Sequence, residues 1–194
     1  MAYHQRIDPA PQRARLTAAN FNRLAEGGAF DGYARAELIE GEIWVVNAVH
    51  RWDARVQSVL NVELSLALRA IDTTLVVYSA GSVDMSEDSI PEPDLSIAER
   101  EGEIEEGLLP LARLRIAIEV SDSSLDFDFI RKALLYARNG VPEYWVVDRA
   151  GKRIVRHASP QPAGYLQTDS VSFGEPLSAL TVSDLTIPTN GFVG

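Results

Sequence analysis

The sequence predicts a single α/β (α+β) domain, a mixed β-sheet core flanked by helices, and three observations carry that prediction. The chain has 194 residues, enough for one domain with a substantial core. Segments of period-2 alternation rich in Val and Ile are interspersed with segments of helical period, in the order helix, hairpin, helix, strands, helix, strands. The two amphipathic helices each need an apolar surface to cover, which a sheet supplies. Residues 1–14 are polar and carry Pro9 and Pro11, so they are expected to form a flexible N-terminal arm, with the domain spanning 15–194.

Each element has its own local reason. In "TAANFNRLAE", Thr17 suits the N-cap of a short helix that Gly27-Gly28 ends. "AELIEGEIWVV" alternates on either side of Glu40-Gly41 and predicts a hairpin. "VHRWDARVQSVLNVELSLALRA" places Val49, Val56, Leu60, Leu64 and Leu68 on one helical face. "TLVVYSAGSVDM" supplies one or two strands, and "IPEPDLSIAE" another behind its two prolines. The stretch 99–106 holds five glutamates and one arginine and predicts an exposed loop. "ARLRIAIEV" is a strand, and "DFDFIRKALLYARNG" a helix that Gly140 terminates. "EYWVVDRAGKRIVRH" turns at Ala150-Gly151, and the tail segments "YLQTDSVSF" and "LTVSDLTIP" are strand-like.

Composition narrows the function. The net charge of −10 argues against a protein held on nucleic acid by a broad basic surface, because phosphate neutralisation supplies most non-specific affinity. It leaves room for an enzyme whose acids surround a divalent cation. The absence of cysteine excludes disulfides, thiolate zinc sites and a cysteine nucleophile, and fits a reducing, cytoplasmic setting. No apolar run approaches the roughly 18–20 residues of a membrane helix, so no membrane partner is expected. The first residues lack the apolar stretch of a secretory signal. No G-x-S-x-G nucleophile motif occurs.

The chemistry concentrates in carboxylates. In "RIAIEV", Ile116, Ile118 and Val120 share one face of the strand while Arg115, Ala117 and Glu119 share the other. Glu119 thus stands beside a small residue, with space next to it. In "PEPDLSIA", Asp94 and Ser96 alternate with Leu95 and Ile97, so a second strand presents an acid at its start. Two carboxylates about 4 Å apart repel by roughly 4 kcal/mol at an effective dielectric near 20. Such a pair shares a proton, meets a fixed cation, binds a metal, or simply lies in solvent at the strand ends. Ser121, Asp122, Ser123 and Ser124 suit a helix cap, and Asp126 and Asp128 suit its first turn. Lys132 shares a helical face with Asp128 and Tyr136. If that helix packs back over its own strand, Lys132 reaches Glu119; otherwise it pairs with Asp128 in solvent.

These pieces resemble the Uma-type family of restriction endonucleases, within the PD-(D/E)XK nuclease superfamily. The resemblance rests on "AELIEGEIWVV", His50 at a helix start, "EPDLSI", "IAIEVSDSS" and "DFIRKALLYARNGVPEYWVVD", and covers most of the chain. It implies a restriction-endonuclease-like fold and a DNA endonuclease using Mg²⁺, with Mn²⁺ as a substitute. Asp94 and Glu119 match the family's two acids, and with the Val120 carbonyl they would hold the metal. The motif's usual lysine position is Ser121 here, so the resemblance gives the lysine's role to Lys132. Glu37 matches a further acid. His50 and Tyr136 fall on the substrate-binding side, Tyr136 as a packing or orienting residue.

Glu40 and Glu42 are expected to be turn and solvent residues. Arg51, Arg55, Arg69, Arg131, Arg138, Lys152, Arg153 and Arg156 are candidates for phosphate contact. A homodimer would suit cleavage of both strands of a duplex. The alternative is a nuclease fold kept as a catalytically inactive binding or scaffold domain, which the acidic balance and Ser121 favour and the joint presence of Asp94, Glu119 and Lys132 disfavours.

Overall fold

The computed structural model describes residues 13–48, 50–100, 107–121 and 127–192. Helix α1 (Ala18–Glu26) starts where Thr17 Oγ1 accepts the Asn20 amide at 3.3 Å, and closes at Gly27. Strands β1 (Arg35–Ile39) and β2 (Glu42–Val46) pair antiparallel from Arg35 opposite Val46 to Ile39 opposite Glu42. Their two-residue turn holds Glu40 at φ 51° and Gly41 at φ 77°, the left-handed pair that matches the twist of a tight hairpin.

Helix α2 (Arg51–Ala70) follows, then β3 (Leu75–Ser79), β4 (Val83–Asp84), β5 (Leu95–Glu99), β6 (Leu109–Pro110) and β7 (Leu114–Ser121). Residues Phe127–Lys132 form a wide π-helical turn that runs into α3 (Ala133–Arg138). Gly140, at φ 75°, closes that helix: its amide donates to the Ala137 carbonyl and the Val141 amide to the Tyr136 carbonyl, both at 3.0 Å. Strands β8 (Glu143–Asp148), β9 (Arg153–Gln161), β10 (Gly164–Ser172), β11 (Leu177–Ser178) and β12 (Thr186–Ile187) complete the order.

The main sheet has six strands in the order β10-β9-β8-β7-β5-β3. Its strands pair antiparallel except β7 with β8, which run parallel because the wide turn and α3 cross between them. Alternation then sorts the two faces as the sequence predicts. Ile116, Ile118 and Val120 of β7 join Leu95 and Ile97 of β5 beneath Val56, Leu60, Leu64 and Leu68 of α2. On the opposite face, Ala117, Tyr144 and Val146 pack against Ala133, Leu135 and Tyr136 of α3 and against Ile39 of the hairpin. A smaller cluster of Phe21, Leu38 and Ile90 seats α1 and the hairpin, which is stitched on by reciprocal Leu38–Ile90 backbone hydrogen bonds. No described helix is long and apolar enough to cross a membrane.

Three expectations change. The helix predicted from residue 126 begins as a π turn rather than an α-helix. Only Thr186–Ile187 of "LTVSDLTIP" is extended and paired, because Asp184 turns the chain at φ 63°. Ser121, read as a helix cap, is the last residue of β7. The remaining cap candidates Asp122, Ser123 and Ser124, the first-turn acid Asp126, residues 101–106 of the expected acidic loop, Val49 and most of the N-terminal arm lie outside the described residues.

His157 sits inward on β9 among the rings of Phe129, Tyr144 and Tyr165, with Nδ1 2.9 Å from Thr168 Oγ1. Burial holds its imidazole below the ordinary histidine pKa, and Asp169 only partly opposes this. The unfolded chain therefore takes up a proton more readily than the fold, so stability falls as pH drops below about 6.5. Urea melts at pH 7.5 and 5 should show wild type losing more stability than His157→Gln over that interval.

Candidate active site

Strand register creates the central feature. β5 and β7 pair antiparallel with Leu95 opposite Ile118, so the next position sets Asp94 opposite Glu119. Directly opposed residues have Cβ atoms roughly 5 Å apart, and like charges there are destabilising. Both are buried, Glu119 at 2% exposure. Asp94 also finishes the sheet: its Oδ2 accepts the Val120 amide at 2.7 Å, just past the last strand pairing.

Two cations enter from different elements. Lys132, at the end of the wide turn, is 2% exposed. Its Nζ lies 2.8 Å from Glu119 Oε1 and 2.9 Å from Glu37 Oε1. Glu37 Oε1 also accepts the Glu92 amide at 2.7 Å, which fixes the hairpin acid to the segment before β5. Arg35, two residues earlier on the same face of β1, donates from Nη1 to Asp94 Oδ1 and to the Glu92 carbonyl, both at 2.9 Å. Tyr136 lies one helical turn beyond Lys132, and its hydroxyl donates to Glu119 Oε1 at 3.3 Å. Its ring is fully buried against Tyr144, so it contacts the acid rather than solvent.

The electrostatics follow from this crowding. Burial pushes the Glu119 carboxyl well above the usual carboxylate range; Lys132 pulls it back, while Asp94, Asp128 and Glu37 add to the rise. Burial works against the Lys132 charge, but Glu119, Glu37 and Asp128 outweigh it and raise the ammonium pKa above its ordinary value. Arg35 is held charged in the same way, by Glu119, Asp94 and Glu37 against its own desolvation. Buried Glu37, Asp94, Glu119 and Asp128 face Lys132 and the largely buried Arg35, which leaves two formal negative charges in excess.

The donor set fits a hard divalent ion. It is all oxygen, it carries surplus negative charge, and Mg²⁺ characteristically takes one or two protein carboxylates while keeping several waters. Among the described residues, no three acidic or histidine side chains converge as a ready-made cage.

The structure thus gathers Asp94, Glu119, Val120, Lys132, Glu37 and Tyr136. It does not bring in His50, which is exposed at the N-terminus of α2, makes no side-chain cap hydrogen bond, and has no described hydrogen bond or ion pair to the acids. Sequence reasoning missed Arg35, although the alternation of "RAELI" sets it on the face of Glu37. It also took Asp128 for a helix-end acid, whereas it is buried beside the cluster. Of the candidate phosphate contacts, Arg131 is bound to Glu40 and Glu42, Arg138 to Glu40, Arg153 to Asp148 and Arg156 to Asp169. Glu40 and Glu42 therefore serve as partners of Arg131 as well as turn and surface residues.

A family model, Uma2, described as "putative restriction endonuclease", matches residues 18–190. The chain belongs to the Uma2 family. A solved structure from Anabaena variabilis, described as a "putative nuclease belonging to DUF820", superposes with a TM-score of 0.71 at 17% identity. The match covers 91% of this chain and 97% of that one, so the two share a fold. No curated protein matches the chain. The resemblance read from "EPDLSI", "IAIEVSDSS" and the segment around Lys132 is thereby confirmed at the level of family and fold.

Removing the ammonium would strand two buried carboxylates. Lys132→Met should destabilise the protein by about 3–5 kcal/mol in urea melts. The double variant Lys132→Met/Glu119→Gln should recover at least about 1 kcal/mol, and additive losses would mean that the two groups are not coupled.

Proposed function

We propose that this Uma2 protein is a metal-dependent DNA endonuclease that hydrolyses phosphodiester bonds at the Asp94–Glu119–Lys132 cluster. The observation that supports this most is the buried opposition of Asp94 and Glu119 with an ammonium bonded to Glu119. A core made only for stability gains little from four buried acids and two cations, because desolvation offsets most of their attraction.

Asp94, Glu119 and the Val120 carbonyl would hold Mg²⁺ or Mn²⁺, with Glu37 joining through water. Such an ion, when bound, polarises the scissile phosphate and lowers the pKa of its water. Both described hydrogen bonds to Glu119 fall on Oε1, so Oε2 would be the oxygen offered to the ion. Arg35 aims Asp94 through the 2.9 Å bond to Oδ1. Lys132, fixed by two glutamates, orients the attacking water or offsets the negative charge that grows on the phosphate, at little reorganisation cost because it is already desolvated. Tyr136 holds the Glu119 carboxylate in place from within the core.

Incubation with supercoiled plasmid or with circular single-stranded DNA should give, on at least one of them, metal-dependent cutting that EDTA stops. Glu119→Ala should slow it at least about a hundredfold. Cutting at the wild-type rate in that variant would place the chemistry elsewhere. Calorimetric binding of Mn²⁺ should disappear in Asp94→Ala, and unchanged binding would exclude that acid as a ligand. Lys132→Gln should lose cutting while still binding Mn²⁺, which separates ion binding from the chemical step.

A further inference from the structure

The hairpin carries an exposed indole to the edge of this cluster. Trp44 stands directly opposite Glu37 in the β1–β2 register, so the two side chains leave the same face. The indole also meets Phe127 of the wide turn, with ring centroids 4.5 Å apart and planes inclined by 43°. Phe127 in turn lies 5.9 Å from Lys132 Nζ. Two independent neighbours therefore tie Trp44 to buried members of the site, while the residue itself remains 39% exposed. Arg131 packs over the indole with its guanidinium carbon 5.0 Å from the ring centre, and Glu40 and Glu42 anchor that arginine. The residue is thus braced in place while part of its surface stays exposed.

The cations that reach the acids and the indole are already engaged. Arg35 serves Asp94, Lys132 serves two glutamates, and Arg131 serves Glu40 and Glu42. A duplex turns its charged backbones outward and its bases inward, and proteins grip it largely by neutralising phosphates. In a chain of net charge −10, the positive charge left on this rim for that grip is limited to exposed residues such as Arg13 and Arg15 near Glu42. An unpaired base presents a bare aromatic face, and stacking on a protein ring holds it without reading its identity.

We propose that Trp44, backed by Phe127, is a stacking platform for an unpaired nucleobase, and that the substrate is single-stranded DNA. The placement of a scissile phosphate beside it rests on the nuclease reading above, but the stacking is measured by binding alone. Anisotropy in EDTA, with a labelled oligo(dT) strand and a blunt duplex of equal length, should show the single strand bound at least about tenfold more tightly. Trp44→Leu keeps apolar bulk on the hairpin and removes the aromatic face, so it should weaken single-strand binding roughly five- to a hundredfold. Trp44→Phe should retain most of the binding, and thermal melts of both variants establish that they are folded. In a Trp52→Phe background the exposed Trp44 and buried Trp145 remain, and oligo(dT) should quench the indole emission.

Tighter binding of the duplex, or wild-type single-strand binding by folded Trp44→Leu, would overturn the platform. The two readings fail separately. Trp44-dependent binding with no cutting in any metal would sustain the platform and remove the nuclease. Equal cutting of duplex and single strand, indifferent to Trp44→Leu, would remove the platform and leave the nuclease standing.

Discussion

Two carboxylates facing each other across neighbouring strands set the terms for everything around them. Asp94 and Glu119 are placed opposite by the pairing of β5 with β7, and that pairing is itself fixed by the apolar rows that must meet α2. A shift of one residue would turn Leu95, Ile97, Ile116 and Ile118 away from α2, so the acids cannot drift apart without breaking the core. The repulsion is therefore a permanent condition of the fold. It is relieved by side chains delivered from outside the sheet.

The two sources of relief differ in kind. Arg35 arrives on the hairpin and satisfies Asp94 together with a main-chain carbonyl, which orders the segment leading into β5. Lys132 arrives on the crossover between the two parallel strands and is shared by Glu119 and Glu37. The wide winding of Phe127–Lys132 is a form that recurs at functional sites, and it ends at the residue whose ammonium enters the cluster. One buried network thus joins the sheet, the hairpin and the crossover, so the geometry of the site and the seating of these layers are a single problem.

Much of this was legible in the chain. The face assignments of β7 and β5 followed from period-2 alternation, the burial of α2 from the spacing of Val56, Leu60, Leu64 and Leu68, and the hairpin turn from Glu40-Gly41. The convergence of Glu119 with Lys132 was conditional on the crossover folding back over its strand, which it does. What stayed hidden depended on tertiary partners. Arg35 carries no local mark that separates it from a surface arginine, since its role is set by Asp94, which lies 59 positions away. The π winding was also invisible, because an apolar spacing compatible with an α-helix tolerates one widened turn. His50 was matched by resemblance alone, and it caps the helix start without a side-chain cap hydrogen bond.

The hairpin is a separate two-stranded ribbon, stitched to its surroundings at Leu38 and Ile90 rather than woven into the six-stranded sheet. Its inner positions, Arg35 and Glu37, are bound into the charged network, whereas its outer strand offers Ile43, Trp44 and Val45 to solvent. Constraint and freedom are therefore divided along one short ribbon. Descendants of this gene could rewrite Ile43 and Val45 while the inner strand, Glu42, Trp44 and the six-stranded scaffold stayed untouched, which makes that part of the ribbon a natural seat of diversification.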